Sequence, residues 1–394
     1  MRGLVSRRLL FAALATSALM ASPAVAAAGR TAPLATQPAP AAPAAAVANA
    51  PGIAEVPNGV TLDGWSSPLR VVSGGFDAVS EVVDSTNHVH IAATGRGGVW
   101  YMTDRSGAWT RKKILANTGS FSYVQPSIAL DTNDRVFIAV LRVPNAEGDL
   151  GIWYVTDKGR TRGTFATSPT RIAPAGNGMP SLKVSGGHLF LADVRGWCCV
   201  GDGQVQLRTN VTGHWTVATL GRGENPSLRI GSDGHPRVTF GRGDESMGIY
   251  YSVASSASGG FTTKKIPGTN ASDVMPLLAL DTSNRAHIAW AHQGSSSTAF
   301  RYIWQVASGW HAPLTAVGNR PYSDSMGFDL DTQGRPNVVV GGSSVHDEIL
   351  MGGSWHQSTV ATSTDVGQIV VRRAFNGHTV IVWTDTGGVF VSRN

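Results

Sequence analysis

The chain carries a run of cations at one recurring position of its sequence. Arg96, Arg142, Arg195 and Arg242 come one to a repeat, and His292 and His346 continue the series. A guanidinium offers a planar fork of donors that matches carboxylate, sulfate or phosphate oxygens two at a time. Histidine titrates near neutral pH and moves protons. Tyr322 and Asp324 lie close by in sequence, as do Tyr123, Glu224, Asp273 and Asp365 at matching places in other repeats. That set reads as an anion-recognising surface with His292, His346 and Tyr322 as groups for proton transfer. Paired with acids such as Glu147, Asp244 and Glu245, the same arginines serve only solubility, and the sequence leaves both readings open. His90 and His287 occupy equivalent strand positions and are expected to pack. His188, His235 and His378 fall at turns and are expected at the surface. No histidine, cysteine or acid pair has metal-ligand spacing, so neither a metal nor another cofactor is expected.

The only cysteines, Cys198 and Cys199, are adjacent, after Trp197. Neighbouring Cα atoms lie ~3.8 Å apart, short of the usual disulfide range. An oxidising compartment still favours a vicinal disulfide over two free thiols. Such a bond closes almost no chain, so its use would be a rigid turn presenting Trp197 at the rim. Two reduced thiols, or a bond to a partner chain, are the alternatives.

These residues need a scaffold that brings distant repeats together. Pro126-Ser127-Ile128-Ala129-Leu130-Asp131, a polar turn and Val136-Phe137-Ile138-Ala139-Val140 form one unit. Pro276 to Asp281 with Ala286 to Trp290 repeat it, and weaker copies begin near Val79, Ser181, Ser227, Phe328 and Ile369. Each continues into a third β-rich run such as Val99 to Met102 or Ile152 to Val155. The period of roughly 42 to 54 residues and the β-branched and aromatic content are those of four-stranded propeller blades. A fourth strand opens on Trp109, Phe165, Trp215, Phe261, Trp310 and Trp355. The seventh aromatic is Trp65, ahead of the first unit. The expectation is an all-β, seven-bladed propeller over 58–394, its last blade closed when Gly64–Val72 pairs with Val389–Arg393. The turns after the first strands, such as Asp131 to Asp134, read as ordinary Asx and Gly turns. The arginines and both histidines belong to loops of the opposite face, around the channel mouth.

The N-terminal residues stand apart. Arg2, Arg7 and Arg8 precede an apolar stretch from Leu9 to Met20, and Ala24-Val25-Ala26 offers a small-x-small cleavage site. Residues 1–26 are therefore expected to be a signal peptide, of twin-arginine or ordinary Sec type. Residues 27–57, dominated by Ala, Pro and Thr, read as a disordered linker. Loss of the signal's three arginines takes the formal charge from +6 to +3. The basic balance thus does not argue for nucleic acid. No later segment is long and apolar enough for a membrane span, and a secreted monomer is expected.

The blade pattern resembles the sialidase-like propellers with BNR (Asp-box) repeats. The likeness lies in architecture more than in motif. The family's S/T-x-D-x-G-x-x-W box is matched only by Thr103-Asp104-Arg105-Ser106-Gly107-Ala108-Trp109, with the Asp displaced, and by remnants such as Ser308-Gly309-Trp310. Its blade number is closer to the seven-bladed propeller polysaccharide lyases. The resemblance implies an enzyme acting on an acidic glycan, either a lyase or a sialidase-like glycosidase. Arg96, Arg142, Arg195, Arg242, Trp197 and Asp324 would hold the glycan, and Tyr322, His292 and His346 would move protons. A lectin-like, non-catalytic propeller using the same mouth is the alternative.

Overall fold

A computed structural model describes residues 64–145, 150–196, 203–242, 247–321, 325–362 and 365–394. Every regular element among them is a β-strand, and the strands form seven antiparallel sheets. Blade I comprises Phe76–Val83, Val89–Gly95, Gly98–Thr103 and Thr110–Ala116. Blade II comprises Phe121–Leu130, Val136–Pro144, Gly151–Thr156 and Thr170–Ala173. Blades III and IV start with Asn177–Ser185 and Glu224–Ile230, and blades V and VI with Asp273–Leu280 and Ser325–Leu330. Each is an up-and-down sheet in chain order. The seventh departs from that order: Ile369–Arg373, Thr379–Asp385 and Gly388–Arg393 are followed outward by Leu69–Ser73.

That outer strand lies tightly on its neighbour. Leu69 stands opposite Val391 and Ser73 opposite Gly388. Gly388 has φ +149°, and a Cβ there would sit 1.9 Å from the Val72 carbonyl oxygen, so only glycine fits. Ser66 N–H extends the contact to Arg393 O at 2.7 Å. Trp65 donates its indole N–H to Ser358 Oγ of blade VI at 3.2 Å. Other outer aromatics also reach back one blade: Phe165 onto Tyr101, Trp310 onto Tyr251 and Trp355 onto Tyr302.

The core is divided into clusters, each between neighbouring blades. Val79, Val89 and Ile91 of blade I meet Val71, Val389 and Val391 of blade VII, for example. Burial on both sheet faces explains why the second strands read as continuous apolar runs. Side chains also link the inner strands around the channel. The hydroxyls of Ser80, Ser127, Ser181 and Ser227 each accept the N–H of a residue one blade on: Ile128, Leu182, Leu228 and Leu278. Just before these serines in blades II to IV, Gln125, Met179 and Asn225 hold left-handed φ of 51° to 55° ahead of a proline. The strand bulges there, and Gln125 Oε1 accepts the Met179 N–H of blade III.

The turn face follows the chemistry read from sequence. Asp131, Asp281 and Asp331 each accept two backbone N–H groups of their own turn. On the same face Asp104, Asp157 and Asn210 tie the third-to-fourth-strand turn back to Val89, Val136 and Leu189. The displaced Asp of the box-like segment is therefore a strand-start cap.

Candidate functional site

The end of the molecule where first strands begin carries most of the residues singled out from sequence. The structure places His292 inside the second strand of blade V and His346 inside the third strand of blade VI, not in loops. Arg195 and Arg242 end second strands, Arg142 lies two residues before the end of one, and Arg96 sits in the tight turn after another, at φ 36°. Strand pairing explains the recurrence. Tyr123 faces Arg142, Asn177 faces Arg195 and Asp273 faces His292, at equivalent first-to-second-strand positions.

Three of the arginines are held over aromatic rings of the third strand. Arg142 lies 4.2 Å from the Trp153 centroid and 4.8 Å from that of Phe121. Arg242 lies 4.7 Å from Tyr250, and Arg96 5.8 Å from Trp100. Stacking orients a guanidinium over the ring. Arg195 is exposed. The partners just named come from the arginine's own blade, so these side chains ring the face at the radius of the third strand instead of converging on the channel.

His292 has the most organised surroundings. Its Nδ1 donates to Asp273 Oδ1 at 2.8 Å, which leaves the lone pair on Nε2. Asp273 is fully buried and is fixed in turn by Trp290 Nε1 at 2.7 Å and Asn270 N at 2.7 Å. The imidazole itself keeps 22% of its surface open. His346 sits 2.5 Å from Ser344 Oγ. Burial, with the Arg320 charge, lowers its pKa, so it is a neutral ring at neutral pH. Glu348, two residues on, is pushed up to about 7 by burial against the pull of Arg320. Burial likewise raises the Tyr123 phenol and the Glu224 carboxyl.

Sequence reasoning missed the charges inside the channel. Lys183, Arg229, Asp329 and Arg372 come from four inner strands. Arg229 and Arg372 approach Asp329 at 4.0 and 3.8 Å. Enclosed by the blades, these groups pay for desolvation and like charge: Lys183 falls well below the ordinary lysine range. Their signal was a polar residue at the inner-strand position that is Ala129 in blade II and Ala279 in blade V.

It also missed two clefts flanking blade I. One, of about 450 Å³, opens toward the outer strand of blade VII and is lined by Arg70, Ser73, Arg96, Trp100 and Arg111. The other, of about 620 Å³, opens toward blade II and includes His90, Tyr101, Arg105, Asp134 and Asp157. His90 is a buried structural group there, bonded to Tyr101 Oη at 2.6 Å and Asp84 Oδ2 at 3.2 Å. His287 repeats the arrangement with Tyr302 at 2.6 Å. Trp197, Cys198, Cys199, Tyr322 and Asp324 lie outside the described residues, as do residues 1–57. No group of three or more His, Cys, Asp or Glu among the described residues is placed to hold a metal. No helix among them is long and apolar enough to cross a membrane.

No family model matches the sequence, and no curated protein matches it. Solved structures do match, as folds. An ulvan lyase of polysaccharide lyase family PL25 superposes with a TM-score of 0.54 at 10% identity, covering 82% of this chain and 94% of that one. A fungal alcohol oxidase of the AA5 family, in complex with copper, gives 0.55 at 10% identity, covering 84% of this chain and 76% of its own. A leech intramolecular trans-sialidase gives 0.45 at 11% identity, covering 81% and 68%. The chain thus shares its propeller fold with the ulvan lyase and the oxidase. An oxidase on the same scaffold shows that the fold does not choose the chemistry.

Proposed function

We propose that this chain is an exported, monomeric, carbohydrate-active propeller that acts on an acidic glycan across the face bearing His292. The observation that carries the reading is the His292–Asp273 pair: a half-open imidazole, fixed in one tautomer by a buried carboxylate, on a face set with stacked arginines. A uronate carboxylate neutralised by a guanidinium makes the C5 proton more acidic. His292 Nε2 takes that proton, the C4–O bond breaks, and the leaving oxygen is protonated by a second group, with Tyr322 the candidate. A hydrolytic, sialidase-like course would need a Tyr–Glu couple or paired carboxylates instead. The ulvan lyase fold neighbour was solved bound to -[GlcA(1-4)Rha3S]-, a glycan of the proposed class. The segment with Arg7, Arg8 and Ala24 to Ala26 supports export.

The test is turnover by residues 27–394 on uronate-containing, sulfated, sialylated and neutral glycans, followed by absorbance of the unsaturated uronate and by released sugar. An acidic glycan should be cleaved, and His292→Ala should lower kcat by about 10²- to 10⁴-fold with the melting temperature kept. Undiminished turnover in that variant would remove His292 from the chemistry. A lectin-like reading is favoured by one observation: the arginines are spread one to a blade, as suits a long chain held at several points. Tight glycan binding without any cleavage would decide for it.

A further inference from the structure

The cleft where blade VII meets blade I gathers cations without neutralising them. Arg70 comes from the outer strand of blade VII, Arg96 from the tight turn of blade I, and Arg111 from the outer strand of blade I. Arg96 Nη1 donates to Ser73 O at 2.5 Å and Arg111 Nη1 to Val71 O at 2.9 Å. Each guanidinium is thus tethered by one nitrogen to the same short strand, with its other donors still to be used. Lys113 Nζ lies 5.5 Å from the Trp100 centroid, a further cation beside the cleft though not one of its lining residues. Arg96 and Lys113 both stand against the indole, which therefore serves as their platform more than as a sugar-stacking surface. Gly74, at φ +110°, makes room: a Cβ there would sit 2.8 Å from Arg96 Cδ. Among the described residues no carboxylate lines the cleft.

Three guanidinium groups lining one cleft repel one another, and an anion between them would turn that repulsion into attraction. We propose that this cleft is an oxyanion-binding site, built to take the sulfate or carboxylate group of an acidic sugar. Two tethered forks suit an oxyanion met by paired donors. A volume of about 450 Å³ exceeds what a bare ion needs and falls within the roughly 300–1,000 Å³ of small-molecule sites. The sugar carrier rests on the functional reading above, whereas the anion site stands on the cleft alone and lies apart from His292.

Calorimetric titration of residues 27–394 at constant ionic strength tests this with sodium sulfate, glucuronate, a sulfated monosaccharide and its neutral parent sugar, chloride being the background anion. Sulfate or glucuronate should bind where the neutral sugar does not. The sulfated sugar should bind more tightly than free sulfate if a sugar is the carrier; equal affinity would overturn that part and leave the anion site standing. Arg70→Gln, which breaks no contact to the strand backbone described above, should weaken binding about 10-fold, and Arg111→Gln by at least as much. His292→Ala should bind as the wild type does, which separates this site from the proposed catalytic one. Sulfate binding unchanged in a folded Arg70→Gln/Arg111→Gln protein, or no preference of sulfate over chloride, would overturn the proposal.

Discussion

The two clefts beside blade I are built from similar residue types and differ in one respect. Toward blade II, acids stand among the lining groups, and Arg105 and His90 both meet one, although Arg111, Lys112 and Arg162 line that cleft as well. Arg105 lies 3.6 Å from Asp84 and 3.7 Å from Asp134, and His90 is bonded to Asp84. Asp134 also accepts Ser85 Oγ at 2.9 Å, and Asp157 accepts the N–H groups of Val136 and Gly163, both at 2.8 Å. Toward blade VII, Arg70, Arg96 and Arg111 line the cleft with Trp100, Lys113 stands against that indole, and backbone carbonyls are the partners shown for Arg96 and Arg111. The first cleft mixes acids with its cations. Among its described lining residues the second has cations alone, and Arg111 borders both. Counting arginines from sequence cannot separate the two cases, because the acid a cation meets can lie far along its own blade or in the next one, as Asp84 and Asp134 do for Arg105.

The largest effect should come from removing the wall that only one cleft has. A chain beginning at Gly74 lacks Leu69–Ser73, where Val71 and Val72 are buried to 1% and 3% exposure. Those side chains alone stabilise by about 1.5–3 kcal/mol each, and the edge of Gly388–Arg393 would be left unpaired. Against a typical total of about 5–15 kcal/mol, cooperative unfolding should be lost or shifted far down in temperature. A melting curve as sharp and as high as that of the intact protein would show that the outer strand does not hold the ring.

Next in size is Asp84, which organises the paired cleft. Burial would raise its carboxyl, but the His88 and Thr86 N–H groups, the Thr86 hydroxyl and His90 outweigh burial and hold it at about 2. A folded pKa below the unfolded one means that this stabilisation is present above about pH 4 and is lost as pH falls toward 2. Asp84→Ala should cost about 3 kcal/mol at pH 7, since it leaves several buried donors unpaired, and should flatten the acid limb of stability against pH. Among the described residues no acid lines the proposed oxyanion cleft, so its sulfate affinity should stay level from pH 7 to 5. Denaturant melts at stepped pH and titrations at the same points check both statements.

The legibility of the molecule in its sequence follows from how local each signal is. The blades were readable because alternation, turn residues and outer aromatics are set by one strand and its own turn, as Pro126 to Val140 shows. The recurrence of Arg142, Arg195 and His292 was also readable, because they share a register position. Their surroundings were not. That Arg142 would lie on Trp153, or that Asp273 would hold His292, depends on pairings across a sheet. The inter-blade serine links and left-handed Gln125 and Met179 hid in what looked like plain strand text, Gln125-Pro126-Ser127 and Met179-Pro180-Ser181. The channel charges and the cation cleft were least accessible, since the first gather from four different blades and the second joins the first blade to the last.

The smallest effect is the one that puts the comparison most directly. Removing one charge from each cleft should move stability in opposite directions. Arg70→Gln relieves repulsion among Arg96, Arg111 and Lys113, so at low salt the melting temperature should rise by about 1 °C. Arg105→Gln breaks two ion pairs and should lower it by about 2 °C, the size expected of partly exposed pairs. Raising sodium chloride screens both, and the two shifts should shrink together. Sulfate should act on only one of them. A bound anion already relieves the repulsion in the wild-type cleft, so in saturating sulfate the gain from Arg70→Gln should vanish or turn into a loss. A gain that survived in sulfate would mean that the cations beside Trp100 hold no anion and are merely crowded.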